Sequence, residues 1–93
     1  MAMAQVLEFP GVGLDKYDAV RSELGWIDNN SAPEGLLAHA AGATGDGFYV
    51  IEWWESVSDW DRFLATRLQP AFQKVGGIPQ PKAVQFEVHS RYP

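Results

Sequence analysis

The sequence has no cysteine, which excludes disulfide bonds, thiolate metal sites and a cysteine nucleophile. Basic residues are also few: seven Lys and Arg stand against twelve Asp and Glu, for a net charge of −5. Because an acidic chain repels phosphate backbones, we expect no nucleic-acid partner. Long apolar runs are absent, so we expect neither a membrane span nor a secretion signal and take a cytoplasmic protein as the default.

Hydrophobic residues, by contrast, make up 46% of the chain, and aromatic residues make up 13%. A length of 93 residues favours one domain spanning residues 1–93. A domain of this size buries only part of its surface. We therefore expect either a dense core or an apolar surface that is shared with a partner.

Hydrophobic periodicity predicts six elements in the order β-α-β-β-α-β. The predicted strands cover residues 4–9, 36–41, 48–54 and 83–89, and the predicted helices cover residues 14–24 and 57–75. The last strand alternates and is expected to be half-buried. Pro70 lies within the second helix, where its ring removes a backbone donor and predicts a kink or a restart.

This order of elements is typical of a ferredoxin-like α+β fold, in which two helices cover one face of a four-stranded antiparallel sheet. The chain has no further element that would cover the other face of the sheet. A second copy is the simplest cover, so we expect a homodimer.

The turn between the second and third strands determines which side chains share a face. A two-residue loop places His39 on the same face as Glu52 and Trp54. His39 lies opposite Glu52 if Gly45-Asp46 forms the loop as a type II′ turn, and opposite Trp54 if Asp46-Gly47 forms a type I′ turn. A loop of three or five residues would break this grouping.

His39 is the candidate catalytic base, because an imidazole gains and loses a proton near neutral pH. Glu52 is the candidate partner that orients the ring. A structural cross-strand pair between the two residues is the alternative. The second histidine, His89, is expected to be exposed or at an interface, and the two histidines lack the spacing of a zinc site. We expect no metal and no cofactor.

Four aromatic residues are candidate contacts for an aromatic or hydrophobic small molecule, since flat rings stack on flat ligands. They are Tyr17, Trp54, Trp60 and Phe63. In a chain this small, large aromatic side chains are also expected in the core, so both roles stay open for each of them.

The segment Gly47-Phe48-x-Val50-x-Glu52-x-Trp54-Glu55-Ser56, followed by Phe63, Leu68 and Pro70, resembles the dimeric α/β-barrel superfamily. Within it, the chain is similar to small domains of the antibiotic-biosynthesis-monooxygenase type. The resemblance implies a homodimer whose two sheets form a barrel with the helices outside. It also implies a cofactor-independent, monooxygenase-like enzyme that acts on an aromatic or hydrophobic small molecule.

The same superfamily includes haem-degrading monooxygenases and proteins with no known activity. Both the oxygenases and the haem degraders use an asparagine, whereas the first strand of this chain offers only Gln5 and Glu8 as polar residues. This difference favours a first alternative, a non-catalytic dimer that binds a ligand or serves a structural role. A haem-degrading monooxygenase is the second alternative.

Overall fold

A computed structural model of the chain describes residues 1–92. The strands are β1 (Met3–Pro10), β2 (Leu36–Ala43), β3 (Gly47–Trp54) and β4 (Lys82–Glu87), and the helices are α1 (Leu14–Leu24), α2 (Val57–Phe63) and α3 (Gln69–Val75). A π-helical turn at Leu64–Leu68 joins α2 to α3, and a short 3-10 turn at Asn29–Ser31 precedes β2. The predicted order of elements and the predicted α+β class are confirmed.

The four strands form one antiparallel sheet in the order β2-β3-β1-β4. The helices pack on one face of this sheet and enclose the core with it. The core consists of buried residues from both layers: Met3, Leu7, Phe9, Phe48, Val50, Trp54, Trp60 and Phe63. This arrangement confirms the predicted ferredoxin-like fold.

Alternation along β3 divides its side chains between the two faces of the sheet. Phe48, Val50 and Trp54 are buried under the helices, whereas Tyr49 and Ile51 are 41% and 38% exposed on the other face. Successive side chains of a strand point in opposite directions, so this one strand contributes to two different surfaces.

The second face of the sheet has no cover among residues 1–92. Val84 and Phe86 on β4 lie on this face and are 64% and 55% exposed, and Val84 is in the same cross-strand row as Ile51 of β3, with Val6 of β1 between them. The expectation that the last strand is half-buried is therefore wrong for a single chain, because no element packs against its apolar side. The strand also ends at Glu87, so His89 lies beyond it.

The hairpin between β2 and β3 has Gly45-Asp46 as its loop, since Ala43 pairs with Phe48 and Thr44 N–H donates to the Gly47 carbonyl at 2.8 Å. The expectation of a type II′ turn is wrong, because Gly45 does not adopt a positive φ. Gly47 is required for a different reason: a Cβ at this position would collide with the Phe9 carbonyl oxygen of β1.

The second helical segment begins where Ser56 Oγ accepts a hydrogen bond from the Asp59 N–H at 3.1 Å. It then restarts at Pro70, as predicted. The π-helical turn Leu64–Leu68 comes directly before α3, which has Pro70 in its first turn, where a proline lacks no needed donor. In residues 1–92, no helix is both long enough and apolar enough to cross a membrane.

Candidate functional site

The site is built around a hydrogen-bonded pair on neighbouring strands. His39 on β2 lies directly opposite Glu52 on β3, which confirms the register predicted for the Gly45-Asp46 loop. The His39 Nδ1 atom is 2.8 Å from Glu52 Oε2, and the two side chains are 14% and 4% exposed. A carboxylate oxygen accepts, so the Nδ1–H group of His39 donates to Glu52.

The Glu52 carboxylate is held by two further donors. Gln5 Nε2 and Trp54 Nε1 both donate to Oε1, at 2.8 and 3.0 Å. Gln5 is in turn held by Gln85, whose Nε2 donates to Gln5 Oε1 at 2.8 Å. Burying a carboxylate is costly unless donors replace its water, and here three of them converge on the two oxygens. Both the position of Glu52 and the orientation of His39 are thereby fixed.

Tyr17 on α1 meets the other side of the imidazole. Its hydroxyl is 2.6 Å from His39 Nε2, and the two rings stack with centroids 5.8 Å apart. Burial raises the pKa of the Tyr17 phenol above its ordinary value, and the nearby Arg21 opposes that rise only in part. The phenol is therefore neutral at physiological pH, and its hydroxyl can donate to Nε2 of a neutral imidazole.

The segment after α1 brings two more residues to the site. Gly25 ends the helix with φ 72°, a left-handed conformation that reverses the chain direction. Trp26 then packs edge-on against the His39 ring at 4.5 Å between centroids. Arg21 lies over the rings of both Tyr17 and Trp26, at 5.8 and 5.7 Å from their centroids.

Two spaces meet at these residues. An apolar cavity between sheet and helices has a volume of about 50 Å³, and a groove at the surface has a volume of about 420 Å³. Both are lined by Tyr17, Arg21, Trp26 and His39. A cavity of about 150 Å³ is known to bind benzene, so the inner cavity is too small for an aromatic ring. The groove is large enough for a small ligand.

The predicted aromatic contacts divide between these spaces and the core. Phe63 lines the inner cavity, and Tyr17 lines both the cavity and the groove. Trp54 and Trp60 line neither of them and pack on each other in the core, with centroids 5.7 Å apart. Trp54 has no exposed surface, so it acts on the site only through its hydrogen bond to Glu52.

Three residues of the site were not among the predicted ones. Gln5 lies on the same face of β1 as the buried residues Met3 and Leu7. A polar residue on this apolar face was the sequence feature that could have indicated its role. Arg21 is one helical turn from Tyr17, and its spacing of four was a further signal. Trp26 follows the cap of α1, and no pattern in the sequence indicates where a chain turns after such a cap.

The geometry also bears on a metal or haem site. In the described part of the chain, no three His, Cys, Asp or Glu side chains come together as metal ligands. His39 is the histidine at the site, and both of its ring nitrogens already have partners. A haem iron would have to displace Tyr17 from Nε2.

No protein-family model matches the chain, and no curated protein is similar to it in sequence. Several solved structures are similar in fold. One is SnoaB, a cofactor-independent oxygenase from Streptomyces nogalater, solved as a variant (TM-score 0.69, 13% identity, 99% of this chain and 97% of that chain). Another is the ActVA-Orf6 monooxygenase of Streptomyces coelicolor in complex with nanaomycin D (TM-score 0.57, 22% identity, 99% and 90%).

A third is a dimeric protein of unknown function and ferredoxin-like fold from Bacteroides fragilis (TM-score 0.58, 13% identity, 94% and 95%). In all three cases the match extends over nearly the whole length of both chains, so the likeness concerns the complete domain. Identities of 13% to 22% support a shared fold and nothing finer. The chain therefore has the ferredoxin-like fold found in antibiotic-biosynthesis-monooxygenase-like proteins.

Proposed function

We propose that this protein is a homodimeric, monooxygenase-like enzyme that removes a proton from an aromatic or hydrophobic small molecule, with His39 as the base. The observation that carries the proposal is the ordered series Glu52–His39–Tyr17, which begins at a buried carboxylate and ends at the groove. A purely structural pair needs no third partner, whereas a base needs an orienting group on one side and access to substrate on the other.

In the proposed step, the Tyr17 hydroxyl accepts a proton from the substrate and passes its own proton to His39 Nε2. The products are a substrate anion and an imidazolium, and the imidazolium is stabilised by Glu52 at 2.8 Å. In a cofactor-independent oxygenation the substrate anion itself supplies electrons to dioxygen. The protein then contributes the base that removes the proton and the groove that positions the substrate.

The substrate is proposed to bind in the groove, since the inner cavity of about 50 Å³ cannot hold a ring. Tyr17 and His39 reach the groove from one side, and Trp26 offers it an aromatic surface. Phe63 lines the inner cavity and not the groove, so it packs beneath the site and does not contact the substrate.

The proposed homodimer is supported by the uncovered face of the sheet. Exposed apolar residues lie on it on either side of β1, among them Ile51 of β3 and Val84 and Phe86 of β4, and Val6 of β1 connects Ile51 with Val84. Contiguous exposed apolar surface of this kind marks an interaction site. The neighbour from Bacteroides fragilis is described as dimeric, and pairing two copies through this face would place the helices of both chains outside.

Dioxygen uptake with a phenolic anthrone tests the proposed function, because this probe combines aromatic rings with an acidic C–H group. We expect uptake above the uncatalysed rate for the wild type, and a loss of about a hundredfold or more for His39→Asn. His89→Asn is the matched control, since His89 is exposed and does not line the groove. Equal uptake by the wild type and His39→Asn would refute His39 as the base.

A non-catalytic ligand-binding protein is the second candidate, and it is favoured by one observation. Both ring nitrogens of His39 are bonded within the protein, as they would be in a purely structural cluster. Calorimetric titration with nanaomycin D, the ligand of the ActVA-Orf6 neighbour, separates the two candidates. Binding without any turnover of phenolic probes supports the non-catalytic one.

A further inference from the structure

We propose that the groove beside His39 takes an aromatic carboxylate, and that Arg21 is the residue that binds its negative charge. This inference rests on the proposed function for the location of the site, and it adds the charge and the class of the ligand. Arg21 lines the groove together with Tyr17, Trp26 and His39. It is the group in this set whose positive charge does not depend on pH.

The Arg21 side chain is held in place but its charge is not paired. Its Nε donates to the Trp26 carbonyl at 3.1 Å, and the guanidinium lies over the rings of Tyr17 and Trp26. Among residues 1–92, no carboxylate lies within ion-pair distance of Arg21, and the other side-chain partner of the guanidinium is the neutral hydroxyl of Tyr17. Rigid placement of an unpaired positive charge is what a preformed anion site requires.

The lack of a partner is notable because carboxylates outnumber cations in this chain, twelve to seven. The acidic residue of the groove, Asp28, does not neutralise Arg21. Its Oδ1 accepts from the backbone N–H and the hydroxyl of Ser31, both at 3.1 Å, and so closes its own turn. A half-buried guanidinium without a counter-ion is unfavourable, and a ligand carboxylate would supply that counter-ion.

The geometry of the guanidinium favours a carboxylate over other anions of equal charge. The Nε edge is used by the Trp26 carbonyl, so a carboxylate would meet the end of the guanidinium beside the Tyr17 hydroxyl, where the spacing of the two terminal nitrogens matches two carboxylate oxygens. The rings of Tyr17 and Trp26 flank this position and suit an aromatic body. A groove of about 420 Å³ accommodates a compact ligand of this class.

Isothermal titration calorimetry with 2-naphthoate and its neutral analogue 2-naphthamide tests the inference. For the wild type we expect naphthoate to bind about tenfold or more tightly than the amide. Arg21→Gln should abolish this preference, and Arg21→Lys should restore part of it, because lysine keeps the charge but loses the paired donors. The melting temperature of each variant checks that it folds.

Arg67→Gln is the matched control. Arg67 also donates to a backbone carbonyl, that of Leu24 at 2.8 Å, and also lies over an aromatic ring, that of Phe63. It lines neither the groove nor the inner cavity, so its replacement should leave the naphthoate preference unchanged. An equal loss in both arginine variants would overturn the inference, as it would indicate a general charge effect.

The remaining outcomes are also decisive. Wild-type protein that binds naphthamide as tightly as naphthoate, or that binds no naphthoate at millimolar concentration, contradicts an anion site even if Arg21→Gln does not fold. If anthrone turnover depends on His39 but naphthoate preference is absent, only the carboxylate site fails. If the preference depends on Arg21 but turnover does not depend on His39, the proposed enzyme function fails and the binding site stands.

Discussion

At the residue scale, the site depends on how Glu52 is satisfied. Its two carboxylate oxygens receive hydrogen bonds from three side chains, although the residue is only 4% exposed. Each donor comes from a different strand position, so the carboxylate ties β1, β2 and β3 together below the helices. Its charge also keeps the proton of His39 on Nδ1, which leaves Nε2 for Tyr17.

Glu52→Gln should therefore weaken both the fold and the proposed reaction. One of the two amide positions becomes a donor that faces another donor, which leaves a buried polar group unsatisfied. We expect a loss of about 1–3 kcal/mol in the free energy of unfolding, measured by urea denaturation, together with reduced anthrone turnover. Glu55→Gln is the control, since Glu55 is exposed and its side chain has no hydrogen bond in the described structure, and it should behave as wild type.

The protonation of Tyr17 makes the stability of the fold depend on pH in the alkaline range. Its folded pKa is raised above the ordinary value of 10.0, mainly by burial, so the folded state binds the phenolic proton more tightly than the unfolded state does. The resulting contribution is complete below pH 10.0 and is lost as pH rises through the folded pKa. Tyr17→Phe should lack this decline, whereas Tyr92→Phe, at a 91% exposed residue, should retain it. A Tyr17→Phe protein whose stability falls with pH as steeply as that of the wild type would contradict this account.

The predictability of the site differs from residue to residue. Strand parity and a two-residue loop were sufficient to predict that His39 shares a face with Glu52 and Trp54, because a strand has a fixed period of two. Which of the two lies opposite His39 depended on the choice of loop residues, and the structure has Glu52 there. The partners from outside the sheet were not predictable in the same way. Trp26 reaches His39 only through the chain reversal at Gly25, and the hydrogen bond of Tyr17 depends on how α1 is rotated against the sheet.

At the element scale, the helical layer opposite the sheet is a segmented structure. The α2 helix begins at a side-chain cap, a π-helical turn follows, and α3 restarts at Pro70. Amphipathic spacing and the proline predicted a helix with an interruption. The π-helical form of that interruption was not predictable, since it depends on how the last residues of α2 are anchored in the core, with Phe63 only 6% exposed.

The cap of α2 contributes measurable stability. Ser56 Oγ accepts from the Asp59 N–H at 3.1 Å and donates to the Asp59 carboxylate at 2.9 Å. Ser56→Ala should lower the free energy of unfolding by about 1 kcal/mol in urea denaturation. Ser58→Ala is the control within the same turn, because Ser58 is exposed and makes no side-chain hydrogen bond in the described structure. A Ser56→Ala protein as stable as the Ser58→Ala protein would exclude a stabilising cap.

At the scale of the whole molecule, one sheet face is covered by helices and the other is open. The sequence indicated this imbalance, because the β-α-β-β-α-β order provides no third layer. Alternation alone could not show that Val84 and Phe86 lie uncovered in the single chain, since the pattern of a half-buried strand is the same whether its cover comes from the same chain or from another.

A charge on the open face should prevent dimerisation. Ile51→Lys places an ammonium group in the proposed interface, where its burial without a partner is expected to raise the dimer dissociation constant about a hundredfold or more. Sedimentation equilibrium measures this directly. Ile27→Lys is the control, because Ile27 is 75% exposed and belongs to the loop after α1, not to a strand of the sheet. A wild-type protein that stays monomeric at micromolar concentration would contradict the proposed dimer.

The central claim, that His39 removes a proton from a bound aromatic substrate, is tested most directly by proton exchange without oxygen. A phenolic anthrone is incubated with the protein in deuterated buffer under anaerobic conditions, and deuterium uptake at its acidic C–H position is followed by NMR. The account predicts that the wild type and His89→Asn accelerate the exchange, whereas His39→Asn does not. Exchange at the same rate with the wild type, with His39→Asn and without protein would contradict the claim.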